Sequence, residues 1–262
     1  MNMIGESQIE PDRASRAGMA SCVALAAGLA LAGPAWAAGD MNLGFGDCAP
    51  AGSATTAITN ACQANTGVIT LVASYRPPMP LNQFEALEGA VDVFTSPSLL
   101  SPWWHLESNP SPGCRAGRVS VNFNFTSGPS TCIDFWSGQA IGGMDYGVNQ
   151  AGLGPNTARI RVVGAVQEAL AGAISPSTEY YGFSIVIQKT QSTGPGSCAG
   201  CSDRACFSLN SISLEQPAPI DNVVITRGTQ TVVTYNGGTG GPNCAAAVVQ
   251  KSSWGQIKAI FR

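Results

Sequence analysis

Three of the nine cysteines fall within PGSCAGCSDRAC (195–206), which runs straight into FSLNSISL. Three chemistries could use them. Zinc needs four thiolate or imidazole donors in a tetrahedron, and Cys198 and Cys201 form a suitable CxxC half-site. Cys206 with Cys244 or His105 would have to supply the other half. Those residues lie far apart in the sequence and contain no second CxxC. A redox-active CxxC instead sits at a helix N-terminus, where the dipole lowers the thiol pKa. Here the pair lies in a Gly/Ser/Pro loop followed by a strand pattern. The third chemistry is covalent stapling, and it is the reading the context favours.

Little else points to catalysis. The single histidine, His105, sits in SPWWHL (101–106) with no second imidazole to complete a metal site. Serines are plentiful, but none occupies a G-x-S-x-G elbow between strand and helix. Asp92, Asp134, Asp145, Glu168 and Glu179 are isolated, which suits solvated faces better than a hydrolytic carboxylate pair. There is no Asp-rich calcium loop. Gly142-Gly143 and Gly237-Gly238 with Gly240-Gly241 read as turn glycines, since neither pair opens a helix. No catalytic residue, metal or cofactor is expected. Trp103, Trp104 and Trp136 are the candidate ligand-binding residues, because aromatic faces stack on sugar rings. The competing reading places them in the core or over a sheet edge.

Composition places the chain outside the cytosol. Arg13 and Arg16 precede the apolar run SCVALAAGLALAG (21–33) and the small-residue site Ala35-Trp36-Ala37. That is the pattern of a cleavable secretory signal. The run is shorter than the about 20 residues of a spanning helix, so residues 1–37 read as a signal peptide and 38–262 as the exported part. No later run is long enough to span a membrane. Charged residues are 11% of the chain and lysine occurs only at 189, 251 and 258. A nucleic-acid partner would need a basic footprint that this sequence lacks.

The elements that must position these residues read as short strands. VITLVASY (68–75) stops at two prolines, which cannot donate to a ladder. LEGAVDVF (87–94), RVSVNFNF (118–125), TCIDFW (131–136), ARIRVVGAV (158–166), EYYGFSIVIQ (179–188) and CFSLNSISLE (206–215) follow. NVVITR (222–227) and TQTVVTY (229–235) read as a tight hairpin around Gly228. In 118–125, Val119, Val121, Phe123 and Phe125 face one way and the polar residues the other, as in a half-buried antiparallel strand. QEALAG (167–172) suits one helical turn. Turn chemistry between strands, without βαβ alternation, predicts an all-β antiparallel sandwich of jelly-roll or immunoglobulin/cohesin-like type. One domain over 38–262 is expected, with 216–262 as a hairpin and tail packed on it. In the tail SSWGQIKAIFR (252–262), Trp254, Ile257 and Ile260 or Phe261 have the spacing of a short amphipathic helix.

Eight cysteines remain in the exported part: Cys48, Cys62, Cys114, Cys132, Cys198, Cys201, Cys206 and Cys244. An even number in an exported chain reads as a disulfide framework. Sequence proximity suggests Cys48 with Cys62 and Cys114 with Cys132, leaving the last four to pair among themselves. Gly46-Asp47-Cys48, the Cys198-Ala-Gly-Cys201…Cys206 loop and Trp254-Gly255-x-Ile257-Lys258 before Arg262 together resemble a group of exported proteins of environmental bacteria. The segment VGAV…ISPSTEYYGFSIVIQ is similar to strands of cohesin-type and related immunoglobulin-like sandwiches. Neither resemblance brings catalytic residues with it. The expectation is a secreted, non-enzymatic surface, adhesion or assembly module, with polysaccharide or other surface proteins as partners. The alternative is a carbohydrate-binding sandwich that uses its tryptophans.

Overall fold

Runs rich in Val, Ile and aromatic residues suit a pleated, half-buried surface, and the computed structural model arranges them as stacked sheets. It describes residues 39–49, 54–109, 111–124, 131–150 and 152–237. The signal segment, Phe125, Cys244 and the 252–262 tail lie outside the described residues. The strands are β1 (Asp40–Phe45), β2 (Ala57–Ile58), β3 (Val68–Arg76), β4 (Leu81–Phe84), β5 (Ala86–Thr95), β6 (Val119–Asn122) and β7 (Ile141–Val148). They continue with β8 (Thr157–Ala165), β9 (Gly172–Ile174), β10 (Tyr180–Gln188), β11 (Ala205–Glu215), β12 (Val223–Ile225) and β13 (Val232–Tyr235). No helix among the described residues is long and apolar enough to cross a membrane.

The fold is an antiparallel β-sandwich. One sheet has the order β1-β3-β10-β6, and the other runs β2-β13-β11-β5-β8-β7 with β12 also on β11. The short β4 and β9 form a separate pair, and β13 with β2 is the parallel exception. Along β5, Leu87, Val91 and Val93 turn inward against Phe207, Leu209, Ile212 and Leu214 of β11, all buried. From the facing sheet come Leu43, Leu71, Ala73, Phe183 and Ile185. Phe45 and Phe207 meet edge-on across the gap at 6.2 Å. At Gly89 a Cβ would lie 2.5 Å from Phe183, so this glycine is what lets the ring enter between the sheets.

The C-terminal strands do not form the expected hairpin. β12 and β13 both pair with β11, end to end along the same edge. Between them the chain bends away to β1, where Met41 donates to the Arg227 carbonyl and Leu43 to that of Gln230. Gly228 allows this crossing, because a Cβ there would sit 1.7 Å from the Met41 oxygen. The glycine marks a close backbone approach that joins the two sheets along one side, not a turn. Gly142 and Gly143 likewise belong to β7, where a side chain at 142 would strike the Val163 carbonyl and the Phe123 ring. The 131–136 segment contributes one bridge, Ile133 with Tyr180, in place of a full strand. The helical turn expected at 167–172 is a 3-10 turn, Glu168–Leu170.

Candidate functional site

The cysteines of the opening motif go to different places. Cys198 is bonded to Cys114, and Cys201 to Cys62. The third bond is Cys48–Cys132, and Cys206 is also disulfide-bonded. The neighbour pairings Cys48–Cys62 and Cys114–Cys132 are thus corrected, as is the expectation that Cys198 and Cys201 find their partners among the last four cysteines. The reason is topological. β1 and β10 both flank β3, which brings Cys48, just after β1, to the 131–133 crossing beside β10. At one end of the sandwich the 60–66, 102–118 and 189–204 connections converge. Bonded partners are 84, 139 and 84 residues apart. Loops of this size are where a crosslink restricts the unfolded chain most, by about 4–5 kcal/mol each in the chain-entropy model. Cys198 and Cys201 are therefore bonded outward to two other segments and not to each other, and thiolates tied up in disulfides supply no zinc half-site.

Around this end the other candidates are packed rather than presented. The 3-10 turn Pro102–Trp104 follows Ser101 and is pinned where Trp103 N–H donates to the Ala199 carbonyl of the CxxC loop at 2.8 Å. Trp103 and Trp104 are 0% exposed and meet each other and Tyr235 at 4.8–5.8 Å. Trp136 is 1% exposed, donates to the Gly182 carbonyl at 2.7 Å, and packs on Phe84, Phe123 and Phe135. A sugar ring needs an open aromatic face, and none of the three indoles has one. The structure therefore places Trp103, Trp104 and Trp136 in the core, where large rings bury most area.

His105 is equally committed. Its Nδ1 lies 2.6 Å from Glu107 and its Nε2 3.2 Å from the Leu100 carbonyl. A general base needs a ring nitrogen facing substrate, and here both face the protein. The side chain that sequence reading missed is Arg115. It is wholly buried, its guanidinium lies 3.6 Å above the Trp103 ring, and it donates to the carbonyls of Trp103, Gln188 and Thr190. Burial lowers it to about 10, so it stays charged at neutral pH. Its position directly after a cysteine was the available signal.

A second group lies on the outer face of the larger sheet. Glu88 on β5 is opposite Ser213 of β11, and Glu215 is opposite Ala86, so the two carboxyls are diagonal neighbours. Ser213 donates to Glu215 at 2.5 Å and Asn222 donates to its other oxygen. Glu88 is 8% exposed, and its Oε1 is buried with no hydrogen-bond partner. Burial first, then the charge of Glu215, pushes Glu88 from 4.5 to about 7, against the pull of Arg161. Burial also raises Glu215, countered by Ser213 and Asn222.

A raised folded-state pKa means that the native chain keeps a proton the unfolded chain has lost. Stability should therefore fall as pH rises from about 4.5 to about 7, then level off. Glu88→Gln is expected to flatten that stretch and to be the more stable protein at pH 8. Urea midpoints at pH 5 and pH 8 check this, and an unchanged slope in the variant would assign the effect elsewhere. Compared with protein-family models and with curated proteins, the chain finds no match.

Proposed function

We propose that the chain is an exported β-sandwich whose role is structural: a surface, adhesion or assembly module that binds partners without transforming them. The observation carrying this reading is the connectivity of the disulfides. Each of the three mapped bonds joins segments at least 84 residues apart, so the sulfurs tie loops to the sandwich. Such bonds form and persist in oxidising compartments. This agrees with the secretory pattern of residues 1–37, from which export and cleavage after Ala37 are inferred. The fold by itself argues nothing about activity. The support comes from how the chemically capable side chains are used: sulfur in crosslinks, imidazole and guanidinium in loop anchoring, indoles in packing.

Cell fractionation with N-terminal sequencing tests the reading. The expected result is protein beginning at Ala38, oxidised, in the surface-bound or secreted fraction. A cytosolic protein with free thiols and an intact leader would overturn it.

A further inference from the structure

The two bonds that meet in the CxxC loop differ in what can reach them. Cys114 is exposed, whereas Cys198 and Cys201 are buried, and Cys62 is half-buried. Residues 199–202 form turns, and a turn brings residues three apart to within about 7 Å between Cα atoms, close enough for a disulfide. Gly200, at φ +100, supplies the backbone conformation that this tight reversal requires. The native partner of each loop cysteine therefore competes with the other loop cysteine. The second bond also has a donor beside its sulfurs. Asn60 Nδ2 lies 3.7 Å from Cys62 Sγ and 3.5 Å from Cys201 Sγ, while the neighbouring Tyr235 hydroxyl donates to the Cys201 carbonyl at 2.9 Å. An amide donor at this position favours a departing thiolate. Cys62 itself is held at φ +59, a left-handed conformation unusual for a side-chain-bearing residue.

We propose that Cys114 is a thiol-acceptor site and that the CxxC pair is the relay that completes the exchange. A low-molecular-weight thiolate attacks the sulfur of Cys114, the exposed residue of the bond, forming a mixed disulfide there and releasing Cys198 as thiolate. Cys198 then attacks Cys201, forming the Cys198–Cys201 bond and releasing Cys62, which takes up the proton given by the incoming thiol. Two disulfides exist before and two after, one thiol is consumed and one appears, and no net electrons are exchanged. The outcome is a covalently tagged Cys114, freed from the CxxC loop, and a free Cys62. This inference stands apart from the surface-module reading, since it concerns the loop alone.

The test is a disulfide map of the oxidised full chain after brief exposure to reduced glutathione and quenching with iodoacetamide. Expected are glutathione on Cys114, the alkyl label on Cys62, and a Cys198–Cys201 bond. A label on Cys198 with Cys62–Cys201 intact, or no adduct at Cys114, overturns the relay. Cys114→Ala provides a second measurement that needs no added thiol. With Cys198 unpaired from the start, the free thiol should be found at Cys62 and the label should move there entirely. Finding it at Cys198 refutes the exchange.

Discussion

Arg115→Met is expected to destabilise the protein by roughly 4 kcal/mol, from buried carbonyls left without a donor and a lost charge-assisted contact. For a chain of this size that is a fall of roughly 8–16 °C in Tm. The side chain does three things at once. It closes the carbonyls at the end of β10, Gln188 and Thr190, it holds the Trp103 carbonyl, and it covers the Trp103 ring. Its own N–H donates to the His105 carbonyl at 2.9 Å, which locks the 102–118 connection in place. Methionine keeps the bulk and the apolar stem but donates to nothing. Arg115→Lys should recover less than half of the loss, because one ammonium cannot reproduce a planar fork aimed at three oxygens. Thermal melts followed by tryptophan fluorescence read both effects. A methionine variant within about 1 kcal/mol of the natural protein, the range of an ordinary surface change, would show that the carbonyls find other donors.

The sandwich was legible because its central strands repeat with period two. The 68–75, 87–94, 158–166, 179–188 and 206–215 patterns each fall on a strand whose ends differ by a residue or so. β1 and β7 were not legible. DMNLGF is buried at nearly every position, with β3 on one edge and the 227–231 chain hydrogen-bonded along the other, and IGGMDYGV carries glycines that read as a turn. Gly228 misled for a related reason. A glycine that permits a hairpin and one that permits two backbones to touch look the same in a sequence. The stapling role of the cysteines could be read from their even number and the exported context. Their partners could not, because pairing follows from which strands neighbour β3, and neighbour relations in a sandwich are non-local. For Trp103, Trp104 and Trp136, composition left two roles open, and burial decided in favour of the core.

The reading of Asp92 as an isolated carboxylate on a solvated face is corrected by the structure, because its partner lies on a neighbouring strand. β5 places Glu88 and Asp92 on the face opposite its apolar residues, and β8 places Arg159 and Arg161 on the same spacing of two. Antiparallel pairing sets Asp92 directly across from Arg159, and the two form a double hydrogen bond of 2.6 and 2.8 Å. Both are almost fully buried, Asp92 at 0% and Arg159 at 4% exposure. A pair removed from water in this way gains little net stability, yet breaking it leaves an uncompensated charge and costs about 3–5 kcal/mol. Asp92→Leu and Arg159→Met are each expected to lose that much in urea denaturation. The double variant should return to within about 1 kcal/mol of the natural protein, since well-packed apolar side chains replace the pair at similar volume. If the two losses simply add, the charges are not coupled, and the burial of both must be stabilised by something other than each other. Recovery in the double variant would instead mean that each single loss is the cost of the charge left behind, with the paired charges of β5 and β8 close to neutral in net stability.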